Sequence, residues 1–169
     1  MSPLYEFSVP VFVKSLGGLK LILEKTAVAG LDEATLLADS LAPDMFPFVR
    51  QVQIACDNAK GAVARLSGQE VPAYPDTETT ITELLARVEK TLTFVQSVTQ
   101  EQYDGAEERV VTLPYFPEMY MTGHDYLQQY VLANFYFHLS MAYAIARKNG
   151  VPLGKPDFLN GLPLRPVVV

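Results

Sequence analysis

Between Thr122 and Gly150 the chain reads TGHDYLQQYVLANFYFHLSMAYAIARKNG, with apolar or aromatic residues at Leu127, Tyr130, Val131, Phe137, Met141, Ala144 and Ile145. Steps of three and four place these on one face of a long helix, a period that no strand shares. Thr122 suits the N-cap, Asp125 the first turn, and Lys148, Asn149 and Gly150 the end. The same spacing recurs in Phe12, Leu16, Leu19 and Leu23, then in Met45, Val49, Val52, Cys56, Ala59, Val63 and Leu66. It recurs again in Ile81, Leu84, Leu85, Val88, Leu92 and Val95. Four amphipathic helices can bury their stripes only against one another, so the expected fold class is all-α, a four-helix bundle.

Punctuation divides these runs. Ser8 and Pro10 open the first helix and Gly30 closes it, with Gly17 and Gly18 inside. Each of the two costs up to ~1 kcal/mol against alanine, so close approach of a neighbouring backbone is expected there. Asp32 caps a short helix through Leu41, Pro43 breaks it, and the second long helix is expected from near Asp44 to Gly68. A polar connection from Gln69 to Thr79 precedes a capping box, Thr80 with Glu83. Thr99 and Gln102 predict a further short helical turn before Gly105. From Arg109 to Met121 the run RVVTLPYFPEMYM is β-branched and aromatic with internal prolines, which predicts a small hairpin or extended loop. Residues 151–169, rich in proline and glycine, are expected to be an irregular tail laid on the surface or against a partner subunit. The whole chain, 1–169, reads as one domain. The long connections leave both an up-down-up-down order and a crossover topology open.

A chain of 169 residues supports a core without disulfide or metal, and 49% hydrophobic with 19% charged residues excludes a disordered body. The net charge of −6 argues against nucleic acid as a partner. No apolar run is long enough to cross a membrane, no secretory signal is visible, and the single cysteine, Cys56, fits a reducing cytoplasm. Phosphate-binding glycine loops, dinucleotide fingerprints, paired-cysteine zinc sites and HExxH or ExxH patterns are absent from the sequence.

Two polar residues, Asn134 and His138, interrupt the fourth stripe four residues apart and so share a face. His138 fits three roles: metal ligand, general base, or buried histidine with a protein partner. Asn134 needs partners for its amide, and a network with His138, Tyr130 and Asp57 would supply them. Gln53, Asp57 and Lys60 run along the flank of the second stripe. The ligand-binding candidates are therefore His138, Asn134, Asp57, Gln53 and Tyr130, with His138 the candidate for a metal. Cys56 lies on an apolar stripe and reads as a small hydrophobe. His124, in a first helical turn, is expected to be exposed.

The segments APDMFPFVRQVQIACDNAKGAVARLSG, NFYFH and AYAIARKNGVPLGKPDF resemble an uncharacterised bacterial family of DinB-like proteins, over about Tyr5 to Phe158. The resemblance implies a four-helix bundle with a crossover connection, often homodimeric. In the wider superfamily it implies a nickel, zinc or similar divalent site of three histidines, serving in some members a thiol-dependent transferase or isomerase. One of those histidines comes from the second helix and two from a later helix, four residues apart. Laid on this sequence, the later pair falls on Asn134 and His138 and the second-helix position near Ala55 to Asp57, so His138 alone keeps the pattern. Two functional expectations follow. One is a polar pocket around His138 that binds a small molecule or a reduced divalent metal site. The other is a non-catalytic homodimeric scaffold with a degenerate metal site.

Overall fold

The computed structural model describes residues 2–167, and Val168 and Val169, the end of the apolar tail, lie outside the described residues. A one-turn helix α1 (Pro3–Glu6) leads into α2 (Val9–Ala27), which carries Pro10 in its first turn, where no amide proton is needed. Asp32 accepts the Thr35 N–H (2.8 Å) at the start of α3 (Glu33–Ala38). Helix α4 (Phe48–Ser67) begins later than Asp44, because Pro47 occupies the N-cap with an extended backbone and Met45 is held in a turn on the Ala42 carbonyl. Helix α5 (Ile81–Ser97) opens on the expected reciprocal box, Thr80 with Glu83. A 3₁₀ turn (Glu101–Tyr103) follows. Strands β1 (Val110–Thr112) and β2 (Tyr120–Thr122) pair antiparallel with Val111 opposite Met121.

Thr122 then accepts the Asp125 N–H and starts α6 (Gly123–Asp125), which runs through a π-helical segment (Tyr126–Val131) into α7 (Leu132–Lys148). A π turn closes on the fifth residue rather than the fourth, so it acts as a one-residue insertion. The stripe beyond it arrives one position late. Phe135, His138, Leu139, Ala142, Ile145 and Ala146 are buried, whereas Phe137, expected inward, is 48% exposed.

Helix α5 packs against both α2 and α4, α4 packs as extensively against α7, and the contacts of α2 with α7 and with α4 are slighter. The consecutive helices α2 and α4 therefore stand on opposite corners. The connection between them crosses the bundle, with α3 resting on α4, which decides for the crossover topology. Phe12 meets Phe135 edge to face at 5.0 Å in the core, beside Leu16, Val52, Cys56, Val88 and Leu139. Fully buried Ala55, Ala59 and Ala62 let α4 approach its neighbours closely. Among the described residues no helix is long and apolar enough to cross a membrane.

The tail is not wholly irregular: Lys155–Leu159 forms a short helix, α8, lying on α2. A Cβ on Gly18 would stand 2.9 Å from the Phe158 carbonyl oxygen, and one on Gly17 would stand 2.5 Å from Asn160 Nδ2. The paired glycines are the berth for this helix. Lys25 and Asp157 (2.7 Å) and the edge-to-face pair Tyr143–Phe158 fasten it there.

Candidate functional site

One flank of α4 is polar, and a buried guanidinium from α5 organises it. The Arg87 side chain is 2% exposed and reaches three carboxylates: Asp57 (2.9 Å), Asp76 (3.0 Å) and Glu78 (2.9 Å). It also donates to the Pro75 carbonyl (3.1 Å). Burial pushes the Glu78 carboxyl up, and hydrogen bonds from Arg87 and Gln53 more than reverse this, leaving it below the usual carboxylate range. Lys60 pairs with Asp57 (2.9 Å) and lies 3.9 Å over the Tyr74 ring. The segment 69–79 between α4 and α5 is thereby pinned against both helices.

Beside this network lies a cleft of about 420 Å³. Its floor is α4, through Ile54, Asn58 and Arg65, and its sides are Val71, Pro72 and Tyr74 of the pinned segment. Leu113 and Tyr115, from the loop between β1 and β2, cover one end, and Tyr126, Tyr130 and Asn134 close the far wall. Arg65 Nη1 donates to the Tyr126 hydroxyl (3.2 Å), and Tyr126 stacks on Tyr130 with centroids 6.0 Å apart. In an α-helix every fourth residue advances about 40° around the axis. The wider π turn removes most of that advance and keeps Tyr126, Tyr130 and Asn134 along one line facing the cleft.

The predicted site residues divide into two groups. Asp57, Tyr130 and Asn134 line the cleft, whereas Gln53 stands behind it, donating to Glu78 (2.8 Å) and accepting from Arg50 (2.8 Å). His138 is elsewhere. Gln51 donates its Nε2 to the Phe46 carbonyl (2.8 Å), which turns Oε1 toward His138, so His138 Nδ1 carries the proton and donates (2.7 Å). Burial, reinforced by the charge of Arg50, lowers the His138 pKa from its ordinary value. The expected shared network is corrected accordingly: Asn134 donates to Asn58 Oδ1 (3.0 Å), and neither His138 nor Asp57 is its partner. His124 is exposed as expected.

These residues do not fit the three-histidine metal site. His138 is engaged by Gln51, and Asp57 by Arg87 and Lys60. Burial pushes the Cys56 thiol up to about 12, which keeps it protonated and a poor ligand. Among the described residues no group of three histidine, cysteine or carboxylate side chains is placed to share one ion.

Arg65 and Arg87 were not legible as site residues, since each reads as a solvated charge on a helix flank. Gly61 was the available signal for Arg65. A Cβ there would stand 2.5 Å from Arg65 Nη1, so the glycine lets the guanidinium lie flat along α4.

Fold and cleft together define a crossover four-helix bundle of the DinB-like type with a polar side cleft. The domain-of-unknown-function family DUF1993 matches residues 4–159, and the chain belongs to that family. It is also similar to a DinB family member protein from Shewanella denitrificans known from a crystal structure. The two are 37% identical with a TM-score of 0.91, over 97% of this chain and 96% of that one. Comparison with curated proteins gives no match.

Proposed function

We propose that the protein binds a small molecule in the cleft between α4, segment 69–79 and the π-helical turn. The observation that carries this reading is a volume of about 420 Å³ into which four separate stretches of chain direct polar groups and aromatic faces. The Arg87 network supports it by fixing one wall before any ligand arrives, which reduces the ordering cost of binding. His138 belongs to the support of α4 in this reading, and the lone buried cysteine accords with a cytoplasmic setting. The test is a thermal-shift screen of a metabolite library on the wild type and on Tyr130→Ala. Compounds that raise the wild-type Tm and lose their effect in the variant support the cleft. A library without such compounds overturns it.

A homodimer is the second reading, favoured by the exposure of Leu162, Leu164 and Val167 beyond α8. Truncation after Gly161 keeps the α8 berth and removes those side chains. Light scattering then decides: a dimer that becomes a monomer supports the reading, and a mass that does not change removes it.

A further inference from the structure

We propose that the ligand of this cleft is an organic monoanion, a carboxylate on an aromatic body, received by the Arg65 guanidinium and the Tyr126 hydroxyl; the proposal rests on the small-molecule reading above. Three cations line the cleft, Arg50, Lys60 and Arg65. Arg50 is paired with Asp76 and Lys60 with Asp57. Among the described residues Arg65 has no carboxylate within ion-pair distance, and its side chain donates to Tyr126 Oη. Four of the five guanidinium N–H groups are left over, in the planar fork that suits a carboxylate.

Tyr126 supplies the second donor. Its side chain is nearly buried, its oxygen accepts from Arg65, and its own O–H proton is therefore free to donate toward the cleft. Burial, opposed only in part by Arg65, raises the Tyr126 pKa, so the hydroxyl keeps that proton at neutral pH. A neutral donor beside an unpaired cation, both facing one cleft, is complementary to a single negative charge.

The remaining lining sets the rest of the ligand. Tyr130, stacked on Tyr126 and packed edge to face with Phe116, lines the cleft with aromatic surface, and Leu113, Val71 and Pro72 add apolar contact. Asn58 and Asn134, bonded to each other, give a polar end with donor and acceptor capacity to spare. Asp57 and Asp76 balance Lys60 and Arg50 on the same cleft, so Arg65 leaves one excess positive charge, which matches a monoanion better than a dianion such as inorganic phosphate. Gly61 makes the receptor positional as well as electrostatic, because a Cβ there would stand 2.5 Å from Arg65 Nη1 and shift the end of that side chain.

The experiment is calorimetric titration of the full chain with phenylacetate, with neutral phenylacetamide and with inorganic phosphate. It is repeated on Arg65→Met, Tyr126→Phe and Gly61→Ala, each checked for an unchanged helical spectrum. Phenylacetate should bind at least ~10-fold tighter than the amide, and Arg65→Met should erase that preference. Tyr126→Phe should weaken the acid by about 10-fold, and Gly61→Ala should weaken it with the charge still present. Equal binding of acid and amide, lost in Tyr130→Ala, overturns the anion receptor and leaves the small-molecule reading standing. Tighter binding of phosphate overturns the monocarboxylate class. Binding of none of the three overturns the proposal, and the library screen decides separately on the reading beneath it. Should Arg65→Met fail to fold, Arg65→Gln decides, since a preference for the acid that survives the loss of the charge refutes the receptor.

Discussion

Replacing Arg87 by methionine removes the one cation that three carboxylates share and leaves a side chain of similar length in place. Removing one partner of a buried ion pair costs about 3–5 kcal/mol, because the other charge is left desolvated. The carboxylates are not equally buried. Glu78 is 12% exposed, whereas Asp57 and Asp76 are 36% and 38% exposed and regain water readily. Glu78 alone should bear most of the penalty, so the lower end of the range applies, ~3 kcal/mol. For a chain of this size that is a fall in Tm of about 6–12 °C. The double variant Arg87→Met/Glu78→Gln should be more stable than Arg87→Met, because a neutral amide no longer needs the counter-charge. Differential scanning fluorimetry of the two variants and of Glu78→Gln completes the cycle. A Tm within ~2 °C of the wild type in Arg87→Met, or a double variant equal to the sum of the singles, would refute the reasoning.

Other perturbations separate parts of the fold. Gly18→Ala should undock α8, because its Cβ meets main-chain oxygens of Asp157 and Phe158, and limited proteolysis near residue 160 would report it. Gly17→Ala should be milder. There the obstacle is the Asn160 side chain, which can move at the loss of its bond to the Lys14 carbonyl, offset by up to ~1 kcal/mol of helix propensity. Thr80→Ala should cost about 1 kcal/mol in urea titration by removing one half of the capping box. His138 has a pKa below its unfolded value, so the unfolded chain takes up the proton first as pH falls. Its contribution is full above about 6.5 and is lost as pH drops through the lower folded value, with a slope of at most ~1.4 kcal/mol per pH unit. His138→Leu should flatten that slope. At about pH 8 it should also cost about 1–3 kcal/mol by orphaning Gln51 Oε1.

Where apolar spacing decided an element, the sequence was sufficient: the stripes of α2, α4 and α5 lie inward as their period requires. The α7 stripe was misplaced by one residue, since nothing local in YLQQYV marks a turn closing on the fifth residue. Phe137 therefore went to solvent and Phe135 to the core. Asp57, Tyr130 and Asn134 line the cleft, but spacing tied them to His138, which lies apart from it, because spacing places residues on a helix face without saying which neighbour that face meets. Arg87 was not legible, because its role depends on α5 lying beside α4, a long-range fact that no window of sequence contains. The α8 berth was half legible: the paired glycines announced a close approach without naming the partner.

The π turn and the cleft explain each other. Helix α7 and the segment before it must send Leu127, Val131 and Phe135 to the core and Tyr126, Tyr130 and Asn134 to the cleft. Both sets step by four, and a pure α-helix would rotate each set by about 40° per step, turning Asn134 away from the wall on which Tyr126 begins. One wide turn cancels that drift for both sets at once. The poorer packing of a π turn is stabilised from both sides, by the buried Leu127 and Val131 and by the stack of Tyr126 on Tyr130. The irregularity thus lies where an apolar core and a polar cleft demand the same helix, and it seats Tyr126 against Arg65, the cleft cation that has no counter-charge among the described residues.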